Sequence, residues 1–179
     1  MTHETYSDED IAHILSSIRN IALVGASANP VRASFIVMKY LAAKGYSVDP
    51  VNPGLAGQTL LGRKVYASLA DIEGGIDMVD IFRNSQAALG VVREAITLKG
   101  RLGLKVIWMQ LGVRNDQAAA EAEAAGLKVV MNRCPKIEYG RLSGEIGWFG
   151  INTGRVSSRL PRLSPAGVQS LRIEPQEKS

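Results

Sequence analysis

The sequence predicts an α/β protein, a doubly wound and mostly parallel sheet of five or so strands with helices on both faces. Three observations lead there. Short apolar runs alternate with helical patterns of about ten to fifteen residues, the rhythm of βαβ units with right-handed crossovers. Several of the runs end at glycine or proline breakers, as βα connections do. The chain has 179 residues and is 46% hydrophobic, enough to build a core without disulfide or metal staples.

The elements follow in order. Residues 7–19, SDEDIAHILSSIR, open on Ser7 with Asp10 three residues on, a capping-box pattern with acidic groups in the first turn. Ile11, Ile14, Leu15 and Ile18 recur at helical spacing, so this is an amphipathic helix. IALVG (21–25) is a buried strand ending in glycine. VRASFIVMKYLAAKG (31–45) is a helix, preceded by Pro30 and stopped by Gly45. YSVDPVNPG (46–54) is a strand running into a Pro-Gly breaker; a polar connection follows, then a short helix at SLADI (68–72). DMVDIF (77–82) is the third strand, and SQAALGVVREAITLKG (85–100) a helix with a serine start and a glycine stop. LKVIWMQLG (104–112) is the fourth strand, with Trp108 and Met109 as core residues. NDQAAAEAEAAG (115–126) is a helix capped by Asn115, and LKVVMN (127–132) the fifth strand. KIEYGRL (136–142) reads as a short helix.

Beyond about residue 143 the chain turns rich in Gly, Ser, Pro and Arg and loses its period. Residues 1–150 are expected to form one domain and 151–179 a flexible basic tail. Trp148, Phe149 and Ile151 are expected to dock on the domain, because they are costly to leave in water.

The net charge is 21 − 17 = +4, but residues 1–150 carry 16 Lys/Arg against 15 Asp/Glu and residues 151–179 carry five against two. The basic character belongs to the tail. With only 6% aromatic residues, the domain lacks both the field and the stacking platform of a nucleic-acid binder. No run approaches the roughly 18 apolar residues of a membrane span, so no membrane role is expected. The N-terminus is acidic where a secretory signal is basic, and one cysteine cannot form an internal disulfide. The expected compartment is the cytoplasm.

In an open parallel sheet, ligands sit outside the carboxyl ends of the strands. There this chain collects Gly25-Ala26-Ser27-Ala28-Asn29-Pro30, Val51-Asn52-Pro53-Gly54, Phe82-Arg83-Asn84, Gln110-Leu111-Gly112 and Arg133-Cys134-Pro135-Lys136. The first loop is the phosphate candidate. Gly25 permits close backbone approach, a helix starts within a few residues, Ser27 supplies a hydroxyl, and Arg32 stands in the first turn of the helix. A cation at a helix N-terminus opposes the dipole, so Arg32 either points to solvent or faces a phosphate.

Two absences sharpen this. There is no G-x-G-x-x-G fingerprint, and no acidic residue ends the second strand to take ribose hydroxyls; Asp49 lies too early. Both disfavour NAD. A Walker A sequence is also missing, which disfavours P-loop hydrolysis.

G-A-S-x-N-P-x-R from Gly25, Y-x-V-x-P-V-N-P from Tyr46, V-D-I-F-R from Val79, W-x-Q-L-G-V from Trp108 and R-C-P-K-I-E-Y-x-R-L from Arg133 occur in one order. Together they resemble the stand-alone CoA-binding domain proteins, which are similar to the N-terminal domain of the succinyl-CoA synthetase alpha subunit. The resemblance covers about residues 7–142. Ala33, where that family often has proline, and Asn132, where it often has aspartate, depart from the pattern. The resemblance implies a Rossmann-like fold and coenzyme A, free or acylated, as the small-molecule ligand. It implies that Gly25, Ala26, Ser27 and Asn29 cradle the pyrophosphate with Arg32 as a nearby cation. Val51, Asn52 and Pro53 would meet the nucleotide half, Phe82 and Arg83 would flank the pantetheine arm, and Gln110 and Gly112 would line the floor. The phosphate on the ribose of CoA makes the missing carboxylate expected.

The synthetase likeness invites a phosphohistidine, but His3 and His13 both precede the first strand. No Ser-His-Asp set and no Cys/His metal cluster is available at the strand ends, and Asp77 and Asp80 lie within a strand as structural groups. No catalytic residue and no metal ligand is assigned, and non-catalytic binding is the preferred function. The alternatives are an NAD(P)-dependent enzyme or redox sensor on the same fold, or a regulatory or scaffold subunit of an acyl-CoA enzyme. A protein partner or homo-oligomer is compatible with all three. Cys134 has two readings: a small buried residue starting a helix at Pro135, or a thiol activated by Arg133 and Lys136.

Overall fold

In a computed structural model, residue 3 and residues 5–145 are described. The tail, with Trp148, Phe149 and Ile151, lies outside them. The strands are β1 (Asn20–Val24), β2 (Ser47–Val51), β3 (Thr59–Leu60), β4 (Arg63–Lys64), β5 (Met78–Ile81), β6 (Val106–Met109) and β7 (Lys128–Val130). The helices are α1 (Asp8–Ser17), α2 (Ala33–Ala43), α3 (Ser85–Leu102), α4 (Asp116–Ala124) and α5 (Pro135–Leu142), with 3-10 turns at Pro53–Leu55 and Leu69–Asp71. Five strands form one parallel sheet in the order β2-β1-β5-β6-β7. The chain steps outward from β1 to β2 and then crosses to β5 on the other side. The topological switch point, where such sheets open a crevice, therefore lies between β1 and β5.

Both faces are covered, so the strands read as nearly unbroken apolar runs. Ala22, Val79, Ile81, Ile107, Met109 and Val129 point to the face packed by α3 and α4. Ile21, Leu23, Met78, Trp108 and Val130 point to the other face, against α1, α2 and α5. Trp108 and its neighbour Met109 thus serve opposite layers, and the buried Trp108 indole donates to the Arg133 carbonyl at 2.7 Å. Side-chain oxygens cap three helices: Ser7 accepts from the Asp10 amide at 3.0 Å, Asn84 from that of Ala87 at 2.8 Å, and Asn115 from that of Ala118 at 2.8 Å.

Three local expectations change. The third helix starts at Ser85 as expected, with Asn84 as its cap, but the expected Gly100 stop gives way to one at Gly103, which takes the left-handed conformation at φ 71°. Burial of Leu102 carries the helix past Gly100. The polar connection after the second strand contains the β3–β4 hairpin, whose turn residues Leu61 and Gly62 both have positive φ. Arg63 ties the hairpin back to Asp49 of β2. Finally, α2 begins at Ala33, so Arg32 occupies the N-cap position instead of the first turn. No helix among the described residues is long and apolar enough to cross a membrane.

Asp77, just before β5, accepts from the Arg19 and Asn20 amides at 2.9 and 3.0 Å and from the Lys105 ammonium at 2.7 Å. It pins the starts of β1, β5 and β6 together. Partial burial pushes its carboxyl up, but Lys105 and the two N–H donors outweigh this and hold it below its usual 3.8. A depressed carboxylate contributes stability above its unfolded pKa and loses it as pH falls through the folded one. Asp77→Ala should destabilise the protein at pH 7 by about 1–3 kcal/mol. Urea denaturation should show that deficit shrinking below pH 3; an unchanged deficit there would point to packing instead of charge.

Candidate functional site

At the switch point the chain makes an open groove of about 770 Å³. It is lined by the loop after β1, the first turn of α2, Asn52 and Leu55 after β2, and Phe82 and Arg83 after β5. Of the residues singled out from the sequence, Gly25, Ala26, Ser27, Asn29, Arg32, Asn52, Phe82 and Arg83 meet here.

Each is placed by local chemistry. The Gly25 and Ala26 amides donate to the Val51 carbonyl at 2.9 and 3.3 Å, so β1 and β2 remain paired into the loop. Gly25 has φ 94°, and a Cβ there would lie 2.4 Å from the Phe82 carbonyl oxygen. Only glycine fits where β1 meets the end of β5. Asn52 clamps two loops, its Nδ2 donating to the Ala26 carbonyl at 2.7 Å and its Oδ1 accepting from the Gly54 amide at 2.9 Å. Ser27 accepts from the Asn29 amide at 3.2 Å, and Asn29 accepts in turn from that of Val31 at 3.1 Å. This pair of side-chain turns delivers the chain to Arg32.

The electrostatics of the groove are one-sided. No side chain caps the N-terminus of α2, unlike those of α1, α3 and α4. Arg32 and Arg83 are exposed on the groove, and neither forms an ion pair with a carboxylate among the described residues. Among the described residues no Asp or Glu lines it, and Asp49 of the neighbouring β2 is engaged by Arg63. Free N–H groups with two guanidinium groups make a site for a multiply charged anion.

The remaining sequence candidates lie elsewhere. Val51 is buried beneath the loop and supplies its carbonyl; Pro53 starts the 3-10 turn and is exposed. Gln110 points inward, with Nε2 3.3 Å from both carboxylate oxygens of Asp80. Gly112 donates its amide to Asn132 at 2.8 Å in an exposed turn. Conversely, Ser34, buried in the first turn of α2, and Leu55 line the groove without having been singled out. Ser34 sits inside a helical pattern and Leu55 inside a breaker, so neither stood out in the sequence.

Two buried groups need separate accounts. Asp80 is expected from the sequence as a structural group, and among the described residues it is the one buried ionisable group in the strands of the sheet. Burial pushes its carboxyl up to about 8 against the weaker pull of Gln110. Cys134 is the N-cap residue of α5 and buried, with Pro135 opening the helix. Of the two readings of Cys134, the small buried residue opening a helix matches this placement; burial pushes the thiol pKa up, and Asp80 adds to that. Arg133 does not activate it, because its guanidinium lies over the Tyr6 ring and pairs with Glu138. Among the described residues no cluster of His, Cys, Asp or Glu could hold a metal ion.

Known proteins align with this picture. A family model described as a CoA binding domain matches residues 19–140. The uncharacterized protein YneT of Bacillus subtilis is 35% identical over 133 residues, which cover 74% of this chain and 94% of that one. A hypothetical protein from Pyrococcus horikoshii has the same architecture, with a TM-score of 0.71 at 43% identity over 79% of this chain and 94% of that one. A dinucleotide-forming acetyl-coenzyme A synthetase of Ca. Korarchaeum cryptofilum superposes with a TM-score of 0.52 at 25% identity, over 63% of this chain and 25% of the synthetase.

Proposed function

The chain belongs to the CoA-binding domain family, and from that premise we propose that it binds coenzyme A, free or acylated, in the groove between β1 and β5. We propose further that it acts as a binder without chemistry of its own, in the cytoplasm. The observation that carries the proposal is the pairing of an uncapped α2 N-terminus with two guanidinium groups that no carboxylate neutralises among the described residues. CoA brings a pyrophosphate and a ribose phosphate to such a site. The pyrophosphate belongs against the Gly25–Asn29 loop at the first turn of α2, where the uncapped helix start offers backbone N–H groups. Arg32 and Arg83 supply the countercharge. The amide of Asn52 and the side chain of Leu55 suit the nucleoside, and no carboxylate stands there to repel its phosphate.

A ligand that binds only the native state stabilises it by mass action, about 2.7 kcal/mol at a hundredfold excess over Kd. For a domain of this size that is a rise in Tm of about 5–10 °C. Thermal melts should show this rise with CoA and a smaller one with equimolar NAD or ATP. Stronger protection by NAD would sink the assignment in favour of a nicotinamide site.

A further inference from the structure

A second cavity, of about 270 Å³, opens at the same edge of the sheet, where β6 and β7 end. It lies beyond Phe82 as seen from the groove. The Gln110 amide donates to the Ile81 carbonyl, which places Gln110 beside Phe82 and Leu111 just past it; the Arg133 amide reaches the Met109 carbonyl, which places Cys134 one strand further. Adjacent strands are about 4.8 Å apart, so the step from β5 to β7 is about 10 Å. An extended pantetheine arm, with its two amides and linking methylenes, exceeds that span.

The lining is unusual for a strand-end edge. Leu111 is 62% exposed and Ile137 44% exposed, and both flank this cavity, with Ile11, Tyr6 and Cys134 deeper. Large apolar side chains left in water beside a concave site mark a surface that something apolar covers. The charged groups at the cavity are engaged with one another and with Asp8 of α1 outside it. Arg141 holds Asp8 at 2.7 Å and Glu138 at 2.8 Å, and Arg133 reaches Glu138 at 3.8 Å. The lining carries two guanidinium groups and one carboxylate, but both guanidinium groups already stand in ion pairs, so neither is free for a ligand anion. The groove between β1 and β5 is the opposite case.

We propose that this cavity is an acyl subsite, which takes the uncharged acyl group of an acyl-CoA whose phosphates lie in the groove. The proposal rests on the groove being the CoA site. Its volume of 270 Å³ corresponds to about nine waters at ~30 Å³ each, and a methylene takes about as much space as a water, so a four-carbon acyl group fits with room to spare. The engagement of its two arginines sets the class. A terminal carboxylate, as in a dicarboxylic acyl group, would lose water and find both arginines already engaged.

The test is calorimetric titration of the full chain with CoA, acetyl-CoA, butyryl-CoA and succinyl-CoA. Each buried methylene tightens binding about fourfold, so butyryl-CoA, with two more, should bind about fifteenfold more tightly than acetyl-CoA. Succinyl-CoA has the same chain length with a terminal carboxylate and should bind no more tightly than free CoA. Leu111→Ser, at an exposed position the fold does not need, should bring butyryl-CoA down to the acetyl level. Equal binding of CoA and butyryl-CoA, or a preference for succinyl-CoA, would overturn the subsite and leave the groove's assignment standing. A butyryl preference that survives Leu111→Ser would overturn it too. If free CoA itself fails to bind, the assignment of the groove falls and the subsite falls with it.

Discussion

Gly25→Ala should destabilise the protein by about 3–4 kcal/mol and remove most of its ligand affinity. Two costs combine. At φ 94° any side chain is strained, a cost of about 1–2 kcal/mol. The new Cβ would also stand 2.4 Å from the carbonyl oxygen of Phe82 and 3.0 Å from its carbonyl carbon, backbone atoms that cannot turn aside. Relief requires β1 and β5 to part at the switch point, which moves Arg83 and the phosphate loop together. Gly45 provides the control. Its φ is 92°, yet nothing lies within 4 Å of its would-be Cβ. Gly45→Ala should therefore show the conformational cost alone and leave CoA binding intact. If denaturation gives equal losses for the two variants, close packing at Gly25 is not what holds the crevice.

The second large effect concerns Asp80. Its carboxyl, fully buried in β5, titrates near 8 in the folded protein and near 3.8 when unfolded. The sign follows from linkage. Stability is fully present below the unfolded value and declines as pH rises toward the folded one, because the unfolded chain ionises first. Between pH 5 and pH 8 the loss is on the order of 4 kcal/mol. Asp80→Asn keeps the shape and an oxygen for the Gln110 amide while removing the ionisation. The variant should match the wild type near pH 4 and exceed it by several kcal/mol at pH 8.5. Urea denaturation across this range tests it, and parallel pH profiles for the two proteins would show that Asp80 is not the group responsible.

The sheet and its helices were legible because burial on both faces writes long apolar runs, and caps such as Ser7 and Asn115 punctuate them. What escaped was smaller than a sequence period. Strands of two residues, Thr59–Leu60 and Arg63–Lys64, show no alternation, and Leu61 gives no hint of its positive φ. The loops after β1, β2 and β5 do converge, as expected for strand ends at a switch point. The direction in which a side chain leaves a strand end was not legible. Gln110 turns inward to a buried carboxyl, and Cys134 tucks under α5, although both stand in polar loops. Their partner, Asp80, sits 30 residues before Gln110, and only the parallel register of β5 and β6 brings the two together.

The strand order also sets a timetable for synthesis. β1 pairs with β2 on one side and β5 on the other. A chain made from its N-terminus completes β2 at Val51 and does not begin β5 until Met78, 27 residues later. At 5–20 residues per second that interval is about 1–5 s. Throughout it, the backbone amides and carbonyls of Ile21–Val24 have no neighbour on the β5 side, and the side chains that will be most deeply enclosed are only half covered. The nascent protein therefore passes through a stage with a bare, apolar strand edge at its centre. That stage, more than the finished sheet, is where a chaperone would find something to hold.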